Sequence, residues 1–121
     1  MLGDNTVPIF IQIKEKLKDD ILTGVYEVDE LIISTNQIAR IYSVNPATAV
    51  KSVSMLQDEG IVYKKRGIGM CVAAHAKEKI MKERKEQFYQ RVITHTIQEA
   101  KKIGLSKDQL LKVIEEAKDY D

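Results

Sequence analysis

Val44-Asn45-Pro46-Ala47-Thr48 is the stretch whose reading decides the fold, with its continuation through Lys51, Met55 and Leu56 to Lys64-Lys65-Arg66-Gly67-Ile68-Gly69. Asn45 can cap a helix, because its side-chain oxygen accepts from backbone N–H groups that a helix start leaves unpaired. Pro46 suits the first helical position, where its missing N–H costs nothing and its φ is already helical. The spacing predicts a helix from Pro46 to Glu59 that buries Val50, Val53, Met55 and Leu56. Gly60 ends it, Ile61-Val62-Tyr63 follows as a strand, and a basic turn at Arg66–Gly69 leads into Met70-Cys71-Val72. A short helix beside a basic hairpin is a device for reading DNA.

Upstream, Pro8 opens an amphipathic helix with Ile9, Ile13, Leu17, Ile21 and Leu22 at helical spacing, and Gly24 closes it. Leu31-Ile32-Ile33 is β-branched and apolar, and reads as a short strand. Ser34 caps a second helix from Thr35 to Tyr42, with Ile38, Ala39 and either Ile41 or Tyr42 inward. Ser43-Val44 makes the turn into the Pro46 helix, with Val44 tucked between helices. Helix, strand, helix, helix, strand, strand is the order of a winged helix-turn-helix, which places that domain at residues 1–74.

From His75 the character changes. Residues 75–121 hold 11 Lys/Arg and 9 Asp/Glu, no proline and one glycine. Lys77 to Ile103 reads as one long helix, polar in its first half. Its second half has a broad apolar face of Phe88, Tyr89, Val92, Ile93, Thr96, Ile97, Ala100 and Ile103. Gly104 breaks it, and Ser106 caps a last helix in a capping box with Gln109. Leu110, Leu111, Ile114 and Ala117 share one side of that helix. Two helices are too few for a core of their own, so those faces are expected to pair with a second copy as an intertwined dimer. The fold class is therefore mainly α with a small β-hairpin wing, followed by a two-helix dimerisation segment at 75–121. The other way to cover the faces is to fold them back on the winged domain.

Composition sets limits. A chain of 121 residues with 44% hydrophobic content supports one domain, or a small domain with an appendage. Cys71 is the single cysteine, so there is no intramolecular disulfide framework; a buried thiol in a reducing cytoplasm is expected. No apolar run is long enough to span a bilayer, and no signal peptide opens the chain, so neither membrane nor export is expected. Residues 1–74 carry 8 Lys/Arg against 9 Asp/Glu, a balance of −1 that argues against DNA when only totals are read. The distribution argues for it. Leu31 to Gln57 contains no acid, only Arg40 and Lys51, and Ile61 to Lys77 again contains none. One positive face on a neutral domain is the footprint that a phosphate backbone requires.

The candidate DNA-binding residues follow from that layout. Ala47, Thr48 and Lys51 project from the start of the third helix, where Ala47 can meet a thymine methyl, Thr48 a phosphate or base edge, and Lys51 a guanine or phosphate. Asn45 begins that helix. Ser34, Thr35 and Asn36 stand at the start of the second helix, where a phosphate can be held, and Arg40 lies one turn on. Lys65 and Arg66, beside Lys64, would follow the backbone or enter the minor groove, with Gly67 and Gly69 turning the hairpin and letting its backbone come close.

These residues together resemble the GntR family of bacterial transcription regulators, and its YtrA-like branch in particular. The resemblance rests on Pro8-Ile9-Phe10-Ile11-Gln12-Ile13, Ile21-Leu22-Thr23-Gly24, Ser34, Ile38-Ala39, Val44-Asn45-Pro46-Ala47-Thr48, Leu56-Gln57-Asp58-Glu59-Gly60-Ile61-Val62 and Arg66-Gly67-Ile68-Gly69. The Asn-Pro-x-Thr helix start and the short tail resemble the YtrA-like branch, whose effector domain is reduced to about two dimerising helices. The resemblance implies repression from a palindromic operator by a homodimer, often of neighbouring transport genes, and relief by a signal; a small-molecule effector is compatible with the tail. Two departures stand out. Val28-Asp29-Glu30 replaces the family's Pro-Gly-Asp, and Asn36 stands where the family has an arginine.

Catalysis is not expected. His75 and His95 lie twenty residues apart with no carboxylate pair or Cys/His cluster to join them, and no cofactor or metal site is read. Gly67-Ile68-Gly69 lies in a hairpin, not between a strand and a helix, so it is no nucleotide loop. The alternative to a DNA-binding regulator is a winged-helix module used only for protein contact.

Overall fold

The computed structural model describes residues 6–120. Contacts divide the chain into two units, Met1–Lys82 and Glu83–Asp121. The first holds three helices, α1 (Ile9–Leu22), α2 (Thr35–Ile41) and α3 (Pro46–Asp58). A hairpin of β1 (Val62–Lys65) and β2 (Gly69–Val72) follows, then the start of α4 (Ala76–Gln87). The second holds the end of α4, a π-helical segment (Phe88–Ile93), α5 (Thr94–Lys102) and α6 (Lys107–Glu115). The helix expected over Lys77–Ile103 is thus one helical run with a wider turn inside it.

In the first unit the apolar positions of each element converge on one core. Ile13, Leu17 and Ile21 come from α1, Ile38 from α2, and Ala49, Val53 and Leu56 from α3. Val62 and Val72 from the hairpin, Ala76 and Ile80 from α4, and Ile32 and Ile61 from the segments before α2 and β1 complete it. At the end of α2 Tyr42, not Ile41, packs inward; Ile41 is 66% exposed. Cys71 is buried on β2 as a small apolar group. The hairpin is antiparallel, with Val62 opposite Val72 and Lys65 opposite Gly69.

Two expectations need correction. Leu31–Ile33 is no strand: it makes a single bridge, Leu31 to Cys71, although the Ile32 N–H also reaches the Met70 carbonyl. The hairpin edge offers this segment a partner for too few residues to build a ladder. On α3, Val50 is 50% exposed and Met55 only partly buried, while Ala49 and Ser52 take the inner positions. The inner stripe runs 49, 52–53, 56, which leaves residue 50 outside it.

Helix ends follow the sequence closely. Ser34 accepts from the Gln37 N–H through its side-chain oxygen, and the Ser34 N–H donates to the Gln37 side-chain oxygen, a full capping box. Ser106 and Gln109 form the same box at α6. Asp29 has φ 68. It stands where the family's Pro-Gly-Asp has glycine, and aspartate is one of the few residues that tolerates the left-handed region. The Asp29 carboxylate also accepts from the Tyr63 hydroxyl at 2.8 Å, tying this loop to β1 and pushing the phenol pKa up.

Candidate nucleic-acid interface

Asn45 begins α3 as its sequence suggests: its side-chain oxygen accepts from the Ala47 N–H at 2.9 Å, with Pro46 at the first helical position. Ser34 is likewise engaged in its capping box, so the side-chain oxygens of both residues hold helix starts together. The starts of α2 and α3 carry exposed Asn36 and Ala47 and half-buried Thr35 and Thr48, and Arg40 is exposed in the last turn of α2. The two helices pack on each other across a tight turn. There the Val44 N–H bonds the Ala39 carbonyl, the Ser43 N–H bonds that of Arg40, and Ser43 itself has φ 53.

The hairpin projects its basic tip into solvent. Lys64, Lys65, Arg66 and Gly67 are all exposed, and the Ile68 N–H closes the turn onto the Lys65 carbonyl at 3.0 Å. Gly67 has φ 78 with open space around the position a Cβ would take.

Lys51 is placed by a residue that the sequence did not single out. Its ammonium lies 4.1 Å from the ring centroid of Phe10, in the first turn of α1. A lysine held over an aromatic face gains about 0.5–1 kcal/mol at an exposed site. At the other end of α3, Glu59 receives Lys14 at 2.9 Å on one oxygen and Lys18 at 2.6 Å on the other. Lys18 is fully buried. Burial works to raise the Glu59 pKa, but hydrogen bonds from Lys18 and then Lys14 outweigh it and hold the carboxyl below its usual range. α3 and α1 are thus pinned to each other at two points. The one available signal for Phe10 was its helical phase, off the Ile13–Leu17–Ile21 stripe; the ion pairs join residues 41 and 45 apart and leave no local trace.

In the second unit, Phe88, Tyr89, Val92, Ile97, Ile103, Leu111 and Ile114 are exposed, as is Ile93 at its margin. Thr96 and Leu110 are half-buried and Ala100 is buried. Phe88 and Tyr89 meet edge to face at 6.2 Å. An apolar groove of about 520 Å³ runs between α5 and α6, lined by Ile93, Ile97, Ala100, Leu110, Leu111 and Ile114 among others. Among the described residues no helix is long and apolar enough to cross a membrane. His75 pairs locally with Glu78 at 3.0 Å in full solvent, a contact that lowers the Glu78 pKa.

The bacterial regulatory protein family gntR matches residues 11–72, from within α1 to the last residue of β2. The chain belongs to the GntR family. The HTH-type transcriptional repressor YtrA of Bacillus subtilis is 30% identical to this GntR protein over 93 residues, 74% of the chain and 72% of the relative. A structure of a GntR-family regulator from Bacteroides thetaiotaomicron is 37% identical with a TM-score of 0.74, covering 90% of this chain and 95% of its own. The DNA-binding domain of AraR, solved in complex with operator ORR3, is 28% identical with a TM-score of 0.53, covering 55% of this chain and 81% of its own. The chain is thus a YtrA-like transcription regulator of the winged-helix type that binds DNA, and not an enzyme.

Proposed function

We propose that this regulator is a cytoplasmic repressor that binds a palindromic operator as a homodimer. Residues 1–74 supply the DNA contacts and residues 75–121 the dimer contact. Ser34, Thr35, Asn36 and Arg40 hold phosphates from α2. Asn45, Ala47, Thr48 and Lys51 form the α3 contact, and Lys65, Arg66, Gly67 and Gly69 the wing contact. The observation that carries the reading is the coincidence of the two exposed helix starts and the basic tip in stretches that lack any acid. Dimerisation is supported by the apolar residues of α5 and α6 that one chain leaves uncovered, because a soluble monomer rarely exposes so continuous a patch. A two-fold axis then converts one half-site into an inverted repeat. Repression, and control of neighbouring transport genes, rest on the likeness to YtrA-like regulators. A small-molecule effector fits the same scheme, acting on the spacing of the two wings through residues 75–103.

Fluorescence anisotropy against the DNA upstream of the chain's own gene tests the reading. The intact dimer should bind an inverted repeat there. Arg66→Ala should weaken binding about 3- to 10-fold, with dimer mass unchanged and the salt slope reduced by about one. Failure to bind any DNA at low salt would instead favour the winged-helix protein-contact module.

A further inference from the structure

The outward side of α3 is poor in the groups that usually distinguish bases. Pro46, Ala47, Val50, Lys51 and Ser54 are its exposed residues over the first three turns, opposite the buried Ala49, Ser52, Val53 and Leu56. Bidentate recognition of guanine or adenine needs Arg, Lys, Asn or Gln. Lys51 is the sole such residue among these, and its ammonium rests over the Phe10 ring, on the α1 flank of the helix. Val50 lies about 100° away around the helix from Lys51. Ala47 and Val50, one turn apart, form an apolar patch on the helix that reads DNA, and half of the Val50 surface is exposed. An apolar residue kept in solvent at this place has one complementary group in the major groove, the 5-methyl of thymine.

We propose that Val50, together with Ala47, is a specificity-determining residue that reads thymine 5-methyl groups, while Phe10 positions Lys51 on the phosphate backbone instead of a base edge. This rests on the DNA-binding reading of α3. Base choice at the centre of each half-site then comes from shape and methyl contact, and Lys51 adds affinity that is equal for all sequences. Phe10 acts only through Lys51.

The test uses the full-length dimer and an operator selected by it from random DNA, with each thymine replaced in turn by uracil, which removes the methyl and nothing else. Uracil at one or two positions per half-site should cost the wild type about 3- to 10-fold in affinity, the size expected for one buried methyl. Val50→Ala should abolish that penalty at one of those positions; being half-exposed, it should melt like the wild type. Lys51→Ala should weaken binding to operator and random DNA by the same factor and lower the salt slope by about one. Phe10→Leu should weaken the wild type but have no further effect in the Lys51→Ala background. A full uracil penalty in Val50→Ala, or uracil tolerated at every position by a chain that still selects its operator, overturns the proposal and leaves DNA binding intact. No binding to any DNA overturns both.

Discussion

At Glu59 two ammonium groups meet one carboxylate, and one of the two, on Lys18, has no exposure to solvent. Removing one partner of a buried pair is costlier than replacing both, because the remaining charge stays desolvated. Glu59→Gln should therefore destabilise the winged unit by about 2 kcal/mol, below the range for a wholly buried pair since Glu59 is partly exposed. Calorimetry at pH 7 measures this. The pH dependence has a definite sign. The folded carboxyl titrates below its unfolded value, so its stabilisation is complete above the unfolded pKa and is lost as pH falls through the folded one. The melting temperature of the wild type should fall from about pH 5 downward more steeply than that of Glu59→Gln. Read as sequence, Lys14 and Lys18 look like ordinary solvated lysines of an amphipathic helix; only tertiary packing makes them ligands of a carboxylate on another helix.

Four helices end by the same device, an N–H two residues past the cap reaching back to the carbonyl of the fifth residue before it. The pairs are Val25 to Asp20, Val44 to Ala39, Ile61 to Leu56 and Leu105 to Ala100. That closure needs one residue in the left-handed region. Gly24, Gly60 and Gly104 fill it at three ends, but Ser43 fills it with φ 53 in the turn between α2 and α3. A non-glycine residue there stores about 1–3 kcal/mol of strain, offset in part by the entropy that glycine would lose. Ser43→Gly should raise stability by about 0.5–1 kcal/mol, read as a higher midpoint in urea with unchanged slope. Elements of this kind were legible because caps, glycines and apolar spacing are local. Leu31–Ile33 misled because β-branching reports a preference, whereas a strand also needs a neighbour of sufficient length. Val50 and Met55 misled because a helix bounded by apolar residues on three sides leaves its phase open by about one position until its partners are known.

For the molecule as a whole, charge pattern and apolar surplus support one proposal: a chain of net charge +1 with acid-free stretches suited to DNA and a tail that leaves apolar residues exposed. Ile97→Glu puts a charge into the proposed dimer face. It should halve the mass found by sedimentation, leave the winged unit's melting unchanged, and weaken operator binding at least 10-fold, since the two half-sites would no longer be linked. Wild-type mass for this variant would move the dimer contact elsewhere. The family and its winged architecture were readable from motifs; the placement of Lys51 by Phe10 was not, because an aromatic ring in a first turn carries no mark of what will rest on it. The wider turn at Phe88–Ile93 has a consequence of its own. Bonds from residue i to i+5 lodge one residue more than an α-helical turn holds, with the Thr94 hydroxyl also bonding the Tyr89 carbonyl at 3.2 Å. That extra residue works as a phase shifter: it turns everything after it by about 100° around the helix axis relative to an unbroken α-helix. The azimuth of the apolar stripe on α5 is therefore set by a single residue's worth of chain. Two relatives with the same tail composition but one residue more or less in this turn would point their stripes in different directions.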